Sequence, residues 1–266
     1  MSRAAAHAWL VHRRAALALG ALQRLAPTEP FLVVKSVALA ARYGWDPAEM
    51  PIADVDVRMP REAYLRLRDR VRGTDLLRLD GWAYGFLVLE LEGQLVDVES
   101  TFGAPFLTRL RVDDLMRRAV LAELPGAEPF LVPETTDHAL VLTLNVFKDG
   151  LARPSLNAHR NAMRIVDEPD FDVDAFVRRA RWSSLHTVAS LVAHDLAPRS
   201  PRWREIQEAL GLPSRALYMR LHEATRKAPD SMAARMLRRW SPDAPWRRLA
   251  ATCSAGLFVT ARALAR

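Results

Sequence analysis

The spacing of apolar and polar positions changes its period along the chain. Residues 1–26 repeat alanine and leucine at helical spacing between arginines, and Pro27 and Pro30 end the pattern. This predicts an N-terminal amphipathic helix. Phe31 to Lys35 is a short β-branched run that predicts a buried strand. Ser36 then stands as a candidate N-cap of a helix through Tyr43, and the glycine and prolines of 44–51 predict a loop. Ile52 to Arg58 alternates strictly, so Val55 and Val57 face a core while Asp54, Asp56 and Arg58 face the other way. Pro60 opens a helix over 61–72, closed by Gly73. Trp82 to Glu92 and Leu95 to Ser100 flank Gly93 and predict a β-hairpin. In its second arm Val96 and Val98 share one face, and Asp97 and Glu99 share the other.

After Pro105 the period becomes helical. Helices are expected over 133–150, with Thr135 or Thr136 as cap and Gly150 as stop, and over 157–166, 172–181 and 183–196. Further starts follow Ser200-Pro201, Pro213-Ser214, Asp230 and Asp243. The expected class is α+β: an N-terminal helix (1–26), a small mixed-sheet domain (27–125), and an all-helical domain (130–266).

Charge sharpens this division. The chain of 266 residues carries a formal net charge of +7. Residues 178–266 are net +11 and residues 1–177 net −4. An acidic half suited to a metal thus precedes a basic half suited to a polyphosphate or nucleic acid, or simply to arginine-covered helix faces. Trp203, Trp240 and Trp246 lie among those arginines. They read either as base-stacking side chains or, more commonly, as packing anchors of amphipathic helices.

Several classes are excluded or disfavoured. The single cysteine, Cys253, forms no internal disulfide and no cysteine-built zinc site, and fits a reducing cytoplasm. The uncharged run 249–261 is too short to span a bilayer, the arginines of 1–26 break its apolar stretches, and no secretory signal is expected. The seven histidines follow no metal-ligand spacing. There is no P-loop, no dinucleotide fingerprint and no glycine-framed serine nucleophile.

The chemistry that remains is acidic. Two carboxylates on one strand face repel each other unless a cation lies between them, and magnesium prefers such hard oxygen donors. The order is a strand ending at Lys35, a helix from Ser36, Asp54-Val55-Asp56, and then Asp97 on a hairpin arm. In this order the chain resembles the nucleotidyltransferases of the DNA polymerase β superfamily, and in particular a bacterial family known as uncharacterised nucleotidyltransferases. The segments that carry the resemblance are Phe31 to Ala41, Asp54 to Met59 and Val96 to Glu99. It covers residues 27–105 well and the later helices loosely. Ser36 stands where the family has glycine, residues 50–53 lack its upstream arginine, and Asp97-Val98-Glu99 replaces its Asp-x-His.

The resemblance implies a nucleotidyltransferase-like fold and a magnesium-dependent enzyme. Such an enzyme moves a nucleoside monophosphate from an NTP to a hydroxyl of a small molecule, a protein or peptide, or an RNA. It implies Asp54, Asp56 and Asp97 as catalytic residues and ligands of two Mg²⁺ ions, with Glu99 as an alternative third carboxylate. Lys35, Ser36 and Arg58 would contact the nucleotide. The basic half favours an anionic or RNA acceptor. The competing readings are a binding or scaffold protein that keeps the fold without catalysis, and a nucleic-acid binder that uses the basic helices.

Overall fold

The computed structural model describes residues 3–46, 49–50, 52–81, 85–102, 108–147, 156–211, 223, 227 and 228. The class is α+β, and the chain forms two compact units: 1–102 with 111–134, and 103–110 with 135–266. The sequence reading placed the boundary between 125 and 130. The sheet unit runs further because residues 130–132 form a strand of it.

The first unit is built on a seven-stranded mixed sheet. Its strands are β1 (Leu32–Val34), β2 (Asp54–Arg58), β3 (Leu77–Gly81), β4 (Phe86–Leu91), β5 (Gln94–Glu99), β6 (Val120–Ala122) and β7 (Phe130–Val132), in spatial order β3-β4-β5-β2-β1-β7-β6. β2 runs parallel to β5 and antiparallel to β1, while β7 runs parallel to β1. Helices α1 (Arg3–Leu25) and α3 (Arg61–Val71) cover one face. There Ala15, Leu19, Leu22, Tyr64, Leu67 and Val71 pack with Val33, Val55, Val57, Leu87, Leu89, Val96 and Val98. Each large aliphatic side chain buried in this layer contributes about 1.5–3 kcal/mol. α1 is thus part of the sheet unit's core.

The β4–β5 hairpin closes through Glu92 and Gly93, both left-handed at φ 52° and 71°. That pair of positive φ values matches the twist of the flanking strands. Between β1 and β2 runs α2 (Lys35–Tyr43), which Gly44 ends in the left-handed conformation. Ser36 is not its cap. Val34 precedes the helix and no side chain caps it, because Lys35 itself makes the turn at φ 59°. β3, β6, β7 and the short α4 (Val112–Met116) are elements that the sequence pattern did not announce.

The described part of the second unit is helical: α5 (Thr135–Asn145), α6 (Leu156–Ile165), α7 (Val173–Trp182), α8 (His186–Leu196) and α9 (Pro201–Leu210). Asp172 caps α7 by accepting from Ala175 N at 2.9 Å, and Ser200 caps α9 ahead of Pro201. The expected helix over 183–196 begins only at His186. Ser183 N and Oγ both bond back to Arg179 O, and Ser184 follows at φ 58°. Trp203 is fully buried. It meets Phe176 edge-on at 6.0 Å, and its indole N–H donates to Ala162 O at 2.9 Å. This tryptophan is a packing anchor and presents no face for a base. Trp240, Trp246, Cys253, Gly150, the run 249–261 and the helix starts at 213, 230 and 243 lie outside the described residues. No described helix is long and apolar enough to cross a membrane.

Candidate functional site

The face of the sheet opposite α1 and α3 carries the polar half of each alternating strand. Strand register arranges it in rows. Asp56 of β2 lies beside Asp97 of β5, which lies beside Val88 of β4, which lies beside Leu79 of β3. One row along, Arg58 lies beside Glu99, then Phe86, then Gly81. On the other side, Asp54 lies beside Leu95, which lies beside Glu90. Asp54, Asp56 and Asp97 therefore share one face of two neighbouring strands. Residues paired across a sheet keep their Cβ atoms about 5 Å apart.

Four carboxylates and two cations occupy this patch. Lys35 Nζ lies 2.5 Å from Asp56 Oδ1. The two groups form a close, largely buried ion pair. Burial works to lower the Lys35 ammonium's pKa, but the Asp56 carboxylate overrides it and raises it. Lys35 reaches Asp56 because Val34 pairs with Asp56 across β1 and β2 and the next residue turns the chain. A left-handed lysine costs on the order of 1 kcal/mol, which marks the turn as a constrained position.

Arg58 is buried and directs Nη2 to Glu99 Oε2 at 3.1 Å and Nη1 to Val57 O at 3.1 Å. Its guanidinium also lies 5.6 Å from the Phe102 ring centre. It pairs with Glu99, not with Asp56, because the parallel register sets those two residues side by side. Glu99 is thereby engaged, and Arg58 shows no free donor surface toward solvent.

Asp54 and Asp97 remain. Burial, then Asp56, raises the Asp54 pKa against the pull of Lys35. Burial, then Asp54, Asp56 and Glu99, pushes the Asp97 carboxyl up to about 6. After the Lys35 and Arg58 charges are counted, the patch holds a surplus of two negative charges. Ser36 is half-buried in the first turn of α2, beside this patch in sequence through Lys35.

The donor chemistry fits a divalent ion: hard oxygens and a surplus of negative charge. As the side chains stand, no three His, Cys, Asp or Glu groups among the described residues converge into a metal-holding cluster. A cavity of about 490 Å³ lies elsewhere in this unit, lined by Gln23, Arg24, Glu29, Phe31 and Glu128 among others. Its buried Glu29 is closed by a two-pronged contact with Arg66 at 2.8 and 2.7 Å, and none of Asp54, Asp56 and Asp97 lines the recess.

No family model matches the chain, and no curated protein is similar to it. One solved structure to which part of the chain is similar is that of a Thermotoga maritima protein called "a putative nucleotidyltransferase". The likeness covers 48% of this chain and 85% of that one, at 17% identity and a TM-score of 0.33.

Sequence reasoning did not find Leu79 and Val88, the residues that continue the Asp97 row. A register irregularity between Leu77 and Leu79 puts Leu77 against the core and Leu79 on the acid face, so strict alternation does not mark β3.

Proposed function

We propose that this protein is a metal-dependent nucleotidyltransferase whose centre is the patch of Asp54, Asp56 and Asp97. One observation carries the reading: strand register gathers three acidic side chains on one sheet face, directly beside the Lys35–Ser36 turn that opens a helix. The nucleotide's β- and γ-phosphates face the first N–H groups of α2, where the helix terminus favours anions, and Lys35 adds a point charge there. Asp54, Asp56 and Asp97 would hold Mg²⁺, which supplies charge neutralisation at the α-phosphate when bound. The acceptor's hydroxyl oxygen forms a bond to the α-phosphorus. The bond from that phosphorus to the bridging oxygen breaks, pyrophosphate leaves with the electron pair, and Asp97 receives the hydroxyl proton.

The test is the double substitution Asp54→Asn, Asp56→Asn. It is expected to abolish Mg²⁺-dependent ATP binding by calorimetry and nucleotide turnover with labelled ATP, with an unchanged circular dichroism spectrum. ATP binding that survives in a folded variant refutes the proposal.

A second reading is favoured by the two internal ion pairs. Lys35 already neutralises Asp56 and Arg58 already neutralises Glu99. A protein built this way without catalysis would bind nucleotide with no dependence on Mg²⁺ and release no pyrophosphate.

A further inference from the structure

The sheet face that carries the acids continues two strands beyond them, and there its chemistry changes. Past Asp97 the same row holds Val88, half-buried, and then Leu79, 52% exposed. Beside Asp97 on its own strand, two positions back on the same face, is Leu95, 43% exposed. In the next row Phe86 lies against Gly81 so closely that a β-carbon on Gly81 would fall 2.2 Å from the ring. Gly81 itself has no side chain, and the half-buried Phe86 ring lies over it. A single exposed leucine is ordinary, but here Leu79 pairs with Val88, Phe86 follows Val88 on the same face of β4, Leu95 lies diagonal to Val88, and Val88, Phe86 and Leu95 pair with Asp97, Glu99 and Asp54.

We propose that this apolar strip, Leu79, Val88, Leu95 and Phe86, is the acceptor subsite, and that the acceptor is an apolar molecule carrying a hydroxyl, a phenol or an alcohol of similar size. The inference rests on the nucleotidyltransferase reading above and adds the acceptor class to it. Phosphoryl and nucleotidyl displacements run in line, so the incoming oxygen lies opposite the leaving group across the phosphorus. The leaving pyrophosphate belongs at the α2 start, on the β1 side of the acids. The acceptor then approaches from the β5 side, over Asp97. Strands are about 4.8 Å apart, so Val88 and Leu79 lie about 5 and 10 Å beyond Asp97 along its row, within reach of a ring attached to the reacting hydroxyl.

The charges on these strands disfavour a polyanion on the strip. In the rows beyond Asp97 the cation on β3 is Arg78, and it is already paired with Glu90 at 2.7 Å. Asp54 and Glu90 flank Leu95 on either side. An RNA or other polyanionic acceptor would meet these acids with no free arginine or lysine among the described residues of the strip. This replaces the anionic acceptor that overall charge favours. The basic excess lies in the later part of the sequence, not on these strands.

Leu79→Ser and Leu95→Ser change exposed side chains and are tested in the full chain. Binding of 4-methylphenol and of cyclohexanol is followed by ligand-observed NMR with Mg²⁺ and a non-hydrolysable ATP analogue present, and ATP affinity by calorimetry. At least one probe is expected to bind saturably, the two substitutions together to weaken it fivefold or more, and the Kd for ATP to stay within twofold. Binding of only the phenol identifies an aromatic acceptor, and binding of only the alcohol an aliphatic one. The proposal is overturned if neither probe binds, if the substitutions leave probe binding unchanged, or if they weaken ATP instead, which would place the nucleobase on the strip. It is also overturned if a uridine hexanucleotide binds and depends on the two leucines. The Asp54→Asn, Asp56→Asn variant reports on the nucleotide site separately, so failure of that reading is seen as retained ATP affinity whatever the leucines do.

Discussion

The two faces of the one sheet are made by the same strands and behave as opposites. On the α1 and α3 side, Val55, Val57, Leu87, Leu89, Val96 and Val98 are all fully buried among apolar neighbours. On the other side, the residues between them in sequence are Asp54, Asp56, Asp97, Val88 and Glu90. Stability is invested in the first face, and the second is held together at a cost. It carries repelling carboxylates, a left-handed lysine and two ion pairs that neutralise only part of the charge. A period of two allows this, since each strand presents an independent text to each side. A sheet can therefore tolerate an unfavourable face as long as the other is well packed.

The sharpest way to break that contrast is to weaken the packed face. Leu89→Ala, at a position with no solvent exposure, is expected to cost about 2–5 kcal/mol in urea unfolding. ATP binding under conditions where the variant stays folded is expected to remain within twofold, because Leu89 points away from the acids. Lost binding in a folded variant would mean that the two faces are not independent.

The contrast was partly legible in the sequence. Alternation in Ile52 to Arg58 and in Leu95 to Glu99 gives which acids share a face, since it follows from backbone geometry alone. Gly93 and Ser200-Pro201 are also local signals, and the hairpin turn and the start of α9 appear where those residues place them. What alternation does not contain is pairing. Arg58 meets Glu99 rather than Asp56 because β2 and β5 are parallel and in that register, a fact fixed by residues forty positions apart. β6 and β7 have three residues each and exist through partners such as Leu32, which pairs with Leu131. Ser36 looked like a cap because serine before an apolar run usually is one. The turn at Lys35 puts the cap position at Val34, two residues before Ser36.

A middle-sized effect should come from the acids themselves. Asp97 holds its proton up to about pH 6 in the folded protein against an ordinary value of 3.8. The folded state therefore binds that proton more tightly than the unfolded chain does. The stability this group contributes is fully present below about pH 3.8 and is lost as pH rises to about 6. Asp97→Asn removes that loss. By scanning calorimetry without divalent ions, the variant is expected to melt a few degrees above the wild type at pH 7, with the gap closing by pH 4. Added Mg²⁺ should narrow the gap at pH 7 by stabilising the wild type. A variant that melts lower at pH 7 would show that Asp97 is a stabilising residue and that the charged face is not under strain.

The smallest effect is expected at the rim, where the charged face meets water. Arg78 and Glu90 touch at 2.7 Å, but their side chains are 52% and 39% exposed. At such exposure, solvent screening and side-chain entropy offset most of the Coulomb attraction, so a double-mutant cycle with Arg78→Ala and Glu90→Ala should give a coupling below about 0.5 kcal/mol. The Lys35–Asp56 pair has nearly the same separation but buries both groups far more deeply, at 25% and 6% exposure. Removing Lys35 leaves a carboxylate in a place water reaches poorly, and that penalty does not arise at the rim. A coupling at Arg78–Glu90 as large as that from Lys35→Met with Asp56→Asn would mean that ion-pair distance, and not burial, sets the energetics of this face. The division between a strained interior patch and a relaxed border would then have no physical basis.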